Sequence, residues 1–200
     1  MNTLGYALLG LLAREPLSGY DLKRLMEERV GFFWSARHSQ IYPELARLKR
    51  EGMVTHKVVE QRARPDKKVY EVTAAGLEVL KEWVTAPVNP RPVRDELVLK
   101  AYSLWLAEPE EALALFREHE RRHEEQLRQY EEIRAWMKRE WKSDLERLDS
   151  PRFASYAALR RGILYEREYA EWCAWVADRL EKDLAGKRPG RSRKRQQASR

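Results

Sequence analysis

The 200-residue chain has one cysteine, Cys173, so it cannot build an intramolecular disulfide, a cysteine-rich zinc site or a redox pair. Glycine and proline are scarce, at nine each, while 43% of the residues are hydrophobic and 36% charged, which excludes collagen-like and low-complexity disordered classes. Long apolar runs are missing too. The longest, Tyr6 to Ala13, has eight residues, against the roughly 20 that a membrane-spanning helix needs. No lysine or arginine precedes it and no small-residue cleavage site follows, so a secretion signal is not expected and the cytoplasm is the expected location. No glycine-rich phosphate loop and no nucleophile elbow is present, so neither enzyme activity nor a cofactor is expected.

What is abundant is charge, with a net of +7. Its distribution decides its meaning: residues 1–86 carry +3, residues 87–186 carry −3, and residues 187–200 carry +7. The segment from Gly186 to Arg200 lacks any apolar period; it is expected to be a disordered basic tail that adds non-specific attraction to polyphosphate.

Leu4, Leu8, Leu11 and Leu12 recur at helical spacing and predict a first helix ending at Arg14-Glu15-Pro16. Ser18 and Asp21 form a capping-box variant for a second helix with Tyr20, Leu22, Leu25, Met26 and Val30 as its stripe, ending near Gly31. Ile41, Leu45 and Leu48 mark a third helix that stops at Gly52, with Ser39 as the expected N-cap because Pro43 is tolerated only in a first turn. From Met53 the pattern changes to β-branched segments, 54–59 and 68–73, around a turn-like basic stretch, Gln61 to Lys67. Thr73 is then the expected cap of a fourth helix that buries Leu77, Leu80, Trp83 and Val84 and ends at Ala86-Pro87.

Pro87, Pro90 and Pro92 make a stiff connector, so a domain is expected over 1–86, a linker over 87–92 and a second domain over 93–185. The second domain is expected to be helical near 93–106, 109–148 and 152–185, with Leu113, Phe116, His123, Leu127, Tyr130, Met137 and Trp141 on one face. A middle helix of that length predicts packing against another extended helix, and a homodimer is the natural form; an intramolecular bundle is the alternative.

The fold class is therefore mainly α with a small β-hairpin wing: a winged helix-turn-helix followed by a helical dimerisation domain. In that arrangement the third helix enters a major groove of double-stranded DNA and the hairpin reaches backbone or minor groove. With Ile41, Leu45 and Leu48 buried, the opposite surface is expected to present Gln40, Pro43, Glu44 and Arg47, preceded by Arg37, His38 and Ser39. Gln40 suits adenine, Arg47 suits guanine, and Ser39 and Tyr42 are hydroxyl donors to phosphate. Arg62, Arg64, Lys67 and Lys68 concentrate positive charge at the hairpin.

The segments LSGYDLKRLM, SQIYPELARLKREGMV and KKVYEVTAAGLEVLKEWV resemble the PadR family of bacterial transcriptional regulators. The match includes Ile41-Tyr42-Pro43 and Tyr70-x-Val72-Thr73-x-x-Gly76, while Arg160-Arg161-Gly162-Ile163 and Trp172 are similar to a virulence-activator-type C-terminal domain. The resemblance implies a homodimer that sets two winged helices on a pseudo-palindromic operator, with half-sites about 34–36 Å apart or a multiple of that. It further implies repression of a nearby transporter or detoxification gene and release by a small aromatic effector. Trp105, Trp141, Tyr165, Tyr169 and Trp172 are the candidates for lining such a pocket, set against plain core packing.

Two other functions have a foothold in the sequence. His119-Glu120-x-x-His123 satisfies a zinc-peptidase pattern, but two arginines stand between the histidines and Gln129 occupies the position of a third histidine, so no metal site is expected. Ion pairs Glu118–Arg122 and Glu124–Arg128 account for the same residues. An acidic reading helix, through Glu44 and Glu51, would instead suit a winged helix that docks on protein without binding DNA.

Overall fold

The computed structural model describes residues 1–30, 38–60, 66–88 and 94–187; of residues 29, 30, 38 and 187 it describes only the backbone. The described residues fall into two units, Met1–Arg91 and Pro92–Arg200.

In the first unit, α1 spans Thr3–Leu12, capped by Asn2, whose side chain accepts the Gly5 N–H at 2.8 Å. A two-residue strand, β1 (Leu17–Ser18), leads into α2 (Gly19–Leu25) through the Ser18/Asp21 capping box. A π-helical turn follows over Met26–Val30, and a 3₁₀ turn over His38–Gln40 precedes α3 (Ile41–Arg50). Ser39 is thus inside the 3₁₀ turn and does not cap α3. The α-helical frame begins two residues later, and Pro43 still lies in its first turn, where its missing N–H costs nothing. The expected helix end at Gly31 lies outside the described residues.

Strands β2 (Val54–Val59) and β3 (Lys67–Val72) pair antiparallel with His56 opposite Tyr70 and Val58 opposite Lys68. The expected two-stranded hairpin is in fact a three-stranded sheet, ordered β1-β3-β2, with Leu17 opposite Tyr70. A strand of two residues is too short to leave a period in sequence.

Helix α3 stops in a Schellman motif: the Met53 N–H reaches the Leu48 carbonyl (2.9 Å), the Gly52 N–H reaches Lys49 (3.0 Å), and Gly52 takes a left-handed φ of 73°. The same corner seats α4 (Ala74–Thr85). The Thr73 hydroxyl donates to the Gly52 carbonyl (2.7 Å) and accepts from the Gly76 N–H (3.1 Å), and a Cβ on Gly76 would lie 2.3 Å from the Met53 carbonyl oxygen. The core is built from Leu4, Leu8, Leu9, Leu12, Leu22, Leu25, Ile41, Leu45, Leu48, Val54 and Tyr70. The expected buried side of α4 is only half realised. Leu80 packs on this core, but Trp83 lies exposed with its ring stacked on Tyr6 at 4.4 Å, and Val84 is exposed.

In the second unit, Asp95 caps α5 (Glu96–Tyr102), which breaks at Ser103 into a 3₁₀ turn, Leu104–Leu106, rather than running on to residue 106. Helix α6 (Pro109–Glu140) and α7 (Pro151–Lys187) run antiparallel along each other, with Arg117 bonded to Asp178 and Glu181 near one end and Asp144 to Arg152 near the other. The long partner expected for α6 is therefore present within the same chain.

Helix α6 ends eight residues short of the expected 148, although no proline or glycine stops it. Trp141 turns back onto Trp136 (ring centroids 4.7 Å apart) and the Arg152 guanidinium sits 5.1 Å over Trp141, which fixes the reversal. Helix α7 carries the chain through Gly186 to Lys187; the rest of the expected disordered tail lies outside the described residues. Among the described residues no helix is long and apolar enough to cross a membrane.

Candidate nucleic-acid interface

The amphipathic period of α3 buries Ile41, Glu44, Leu45 and Leu48 and turns Tyr42, Pro43, Ala46, Lys49 and Arg50 outward, in line with the exposed Ser39 and Gln40. Glu44 is expected on the outward face; it is buried, with its carboxylate satisfied by Asn2 from the α1 side and by Arg47 from the next turn of α3. Arg47 is only partly exposed and engages two carboxylates, with Nε and Nη2 bonding Glu44 at 3.1 and 2.5 Å and Nη1 bonding Glu51 at 2.8 Å. Burial opposes ionisation of Glu44, but Arg47 and Asn2 hold its carboxyl below the usual range, and the pairing raises Arg47 further.

Lys49 and Arg50 were not singled out from sequence. Stepping three or four residues from Tyr42 and Pro43 reaches Ala46, Lys49 and Arg50. The Glu-x-x-Arg-x-x-x-Glu spacing of 44, 47 and 51 also announces intrahelical ion pairs, which remove Arg47 from the outward set. Lys49 and Arg50 have no ion-pair partner among the described residues.

On the hairpin, alternation puts Val54, His56 and Val58 on the same face as Val72, Tyr70 and Lys68. Val54 and Tyr70 are in the core, and Lys68 carries that helix-side face outward into solvent. Lys67 points from the other face and bonds Asp21 at 3.1 Å. Asp21 is held below the usual carboxyl range by the Ser18 hydroxyl and, against burial, by Lys67. His56 is pushed down by burial and by the positive charges of Lys49 and Lys68. Arg37, Arg62 and Arg64 lie outside the described residues, and His38 is described only in its backbone.

Of the aromatic candidates in the second unit, three come together. Tyr169 stacks on His123 at 4.2 Å, Tyr165 meets the same ring edge-on at 6.2 Å, and Trp172 lies edge-on to Tyr169 and Phe116. Trp105 is exposed on the 3₁₀ turn and Trp141 sits at the α6–α7 reversal, so neither joins them. The Tyr169 hydroxyl donates to Asp95 (2.8 Å). Against burial, the Val98 N–H, this phenol and the Leu97 N–H lower the Asp95 carboxyl, while burial and Asp95 raise Tyr169. A cavity of about 390 Å³ opens between Ala101, Leu104, Trp172, Trp175, Val176 and Leu180, with Arg179 and Asp183 at its rim.

Of the two histidines in the zinc-peptidase pattern, His123 is engaged by a carboxylate, its Nδ1 lying 2.5 Å from Glu166. Among the described residues no group of three His, Cys, Asp or Glu side chains is placed to hold a metal ion. The ion pair Glu118–Arg122 is present at 2.6 Å, whereas Arg128 pairs with Glu125 rather than Glu124.

Three helices, a hairpin packed behind the third, and a cationic outward face on that helix define a winged helix-turn-helix protein. The profile of the "Transcriptional regulator PadR-like family" matches residues 8–82, and that of "Virulence activator alpha C-term" matches residues 93–181. The chain is 35% identical to the negative transcriptional regulator PadR of Bacillus subtilis over 92% of this chain and 100% of that protein. It is similar to the crystal structure of Bacillus subtilis PadR in complex with operator DNA, with a TM-score of 0.80 and 33% identity, covering 90% of this chain and 99% of that one. It is likewise similar to that regulator's structure with p-coumaric acid, with a TM-score of 0.72, 33% identity and the same coverage. The chain belongs to the PadR-like family of transcriptional regulators.

Proposed function

We propose that the protein is a homodimeric, sequence-specific DNA-binding repressor of the cytoplasm. It acts on a neighbouring transporter or detoxification gene by binding alone, without catalysis. The observation that carries this is the outward face of α3: Ser39, Gln40, Tyr42, Pro43, Ala46, Lys49 and Arg50 include no acidic residue, since Glu44 is buried, and Glu51, exposed just past the helix, is paired with Arg47. A protein-docking winged helix would have to rest on Glu51 alone, with its charge already offset by Arg47.

In this reading the N-terminal turn, Ser39 and Tyr42 meet phosphate, Gln40 and Pro43 meet base edges, and Lys49, Arg50 and Lys68 neutralise backbone charge. By sequence, Arg37, His38, Arg62 and Arg64 are assigned to the same DNA contact, though their side chains lie outside the described residues, and Lys67 supports the hairpin through Asp21. The exposed Leu99, Tyr102, Trp105, Leu106 and Trp175 form the apolar surface that a second copy covers. An operator-bound relative of 33% identity supports the DNA reading, and its complex with p-coumaric acid supports a small aromatic effector. Of the aromatic candidates for the effector's site, Trp172 borders the open groove beside Ala101 and Leu104.

The test is binding to DNA flanking the protein's own gene across a salt series, with p-coumarate added in one arm. The reading expects a specific complex of two chains per operator, a steep negative slope of log affinity against log salt, and weaker binding with the phenolic acid. Equal affinity for operator and unrelated DNA, or no binding to any promoter fragment, overturns it.

A further inference from the structure

The exposed face of α3 is held in place by residues that are not on it. Asn2 caps α1 with its oxygen while its Nδ2 donates to Glu44 at 3.0 Å, so one amide joins the first turn of α1 to α3. The two elements approach closely there: a Cβ on Gly5 would lie 2.5 Å from Glu44 Oε1. Glu44 is 6% exposed, and its charge is matched by Arg47, every guanidinium nitrogen of which faces a carboxylate oxygen of Glu44 or Glu51 at 3.1 Å or less. Swinging Arg47 out to a base would strand a buried carboxylate with a single amide donor, a penalty that a base contact must first overcome.

We infer that Asn2, Glu44 and Arg47 form a clamp that sets the angle at which α3 is presented, and that Arg47 is a positioning residue rather than a reader of guanine. This rests on the reading of α3 as the DNA-contacting helix. The two roles differ in what happens when Glu44 is neutralised. If Arg47 positions, removing either partner disables the same device, and removing both costs no more than removing one. If Arg47 reads, Glu44→Gln releases the guanidinium and preserves or tightens binding.

The experiment compares wild type, Glu44→Gln, Arg47→Met, the double variant and Arg47→Lys on operator DNA, on single-base operator variants and over a salt series, at a temperature where each is fully folded by circular dichroism. Asn2→Ser is the mild variant: serine keeps the helix cap but cannot reach Glu44 as the amide does.

The expected result is about a tenfold loss of operator affinity for each single variant and the same loss for the double. The salt slope and the order of preference among single-base variants stay unchanged, and Arg47→Lys recovers part of the loss, in line with the coupling seen between residues that act as a unit. Asn2→Ser is expected to lose about two- to threefold. A loss confined to one operator base pair in Arg47→Met, with Glu44→Gln binding as well as wild type, overturns the inference. So does a salt slope reduced by about one phosphate contact in Arg47→Met. Lys49→Ala distinguishes this outcome from failure of the DNA reading: its salt slope falls if α3 meets DNA, whatever Arg47 does.

Discussion

The two units solve the burial problem differently. The first closes a core of fourteen buried residues from three helices and a sheet, and the segments it leaves outside are mostly polar or cationic. The second strings eleven buried apolar residues, from Leu97 to Ala177, along α5 and two long helices, and leaves Leu99, Tyr102, Trp105, Leu106 and Trp175 in solvent. A pair of helices has too little inner surface to hide that many aromatics. The first unit keeps its described tryptophan, Trp83, against its own Tyr6; in the proposed dimer, the second unit's exposed aromatics are the surface that another chain covers.

The most severe way to break this contrast is to charge the uncovered surface. Tyr102→Glu with Trp105→Glu is expected to give monomers by light scattering and to weaken operator binding about 100-fold or more, since the second half-site then loses its tether. A double variant that remains dimeric removes the basis for the contrast. Within the first unit, Gly76→Ala drives a methyl into the Met53 carbonyl and is expected to cost about 1–3 kcal/mol in urea unfolding. Gly10→Ala has nothing within 4 Å of the new Cβ and is expected to stabilise by about 0.5–1 kcal/mol.

Losing the Ser18 cap should cost about 1 kcal/mol in Ser18→Ala, read as a lower thermal midpoint of the first unit alone. Lys49→Ala, Arg50→Ala and Lys68→Ala are each expected to reduce the salt slope of DNA binding by about one, with little effect on sequence preference and none on the dimer.

The smallest effect is on acid stability. His56, through burial with Lys49 and Lys68, and His119, through burial with Arg122 and His123, both titrate below their usual 6.5 in the folded chain. The unfolded chain takes up protons first, so the stability each contributes is whole above pH 6.5 and declines as pH falls through its lowered native value. His56→Gln should flatten the decline in the first unit and His119→Gln in the second, measured as urea midpoints at pH 7 and 5.

Periodicity and capping chemistry made most of this fold legible in advance. Leucine spacing found α1 to α3, the Ser18/Asp21 and Thr73 caps stand where hydroxyl and carboxylate chemistry put them, and the change from period 3.6 to β-branched alternation found the hairpin. Sequence could not show β1, whose two residues carry no period, nor the reversal after Glu140, which depends on Trp141 folding back on Trp136. At the candidate interface, helical spacing places Gln40 and Pro43 outward, as the structure has them. It misjudged Glu44 and Arg47 because their burial depends on Asn2, 42 residues away. The wing's net charge was visible, but not that Asp21 holds Lys67 and leaves Lys68 outward.

The corner at Met53 has a consequence for how such a molecule can diverge. The Met53 carbonyl receives the Thr73 N–H at 3.0 Å, its own N–H ends α3, and Gly76 is pressed against it. Reading helix, hairpin and α4 therefore turn about a single joint with no slack, and none of them can be re-aimed without the others. A lineage that acquires operators with a different distance between half-sites has little room to adjust within residues 1–88; if the second unit joins the two copies as proposed, the substitutions that accommodate new spacing should collect beyond residue 94.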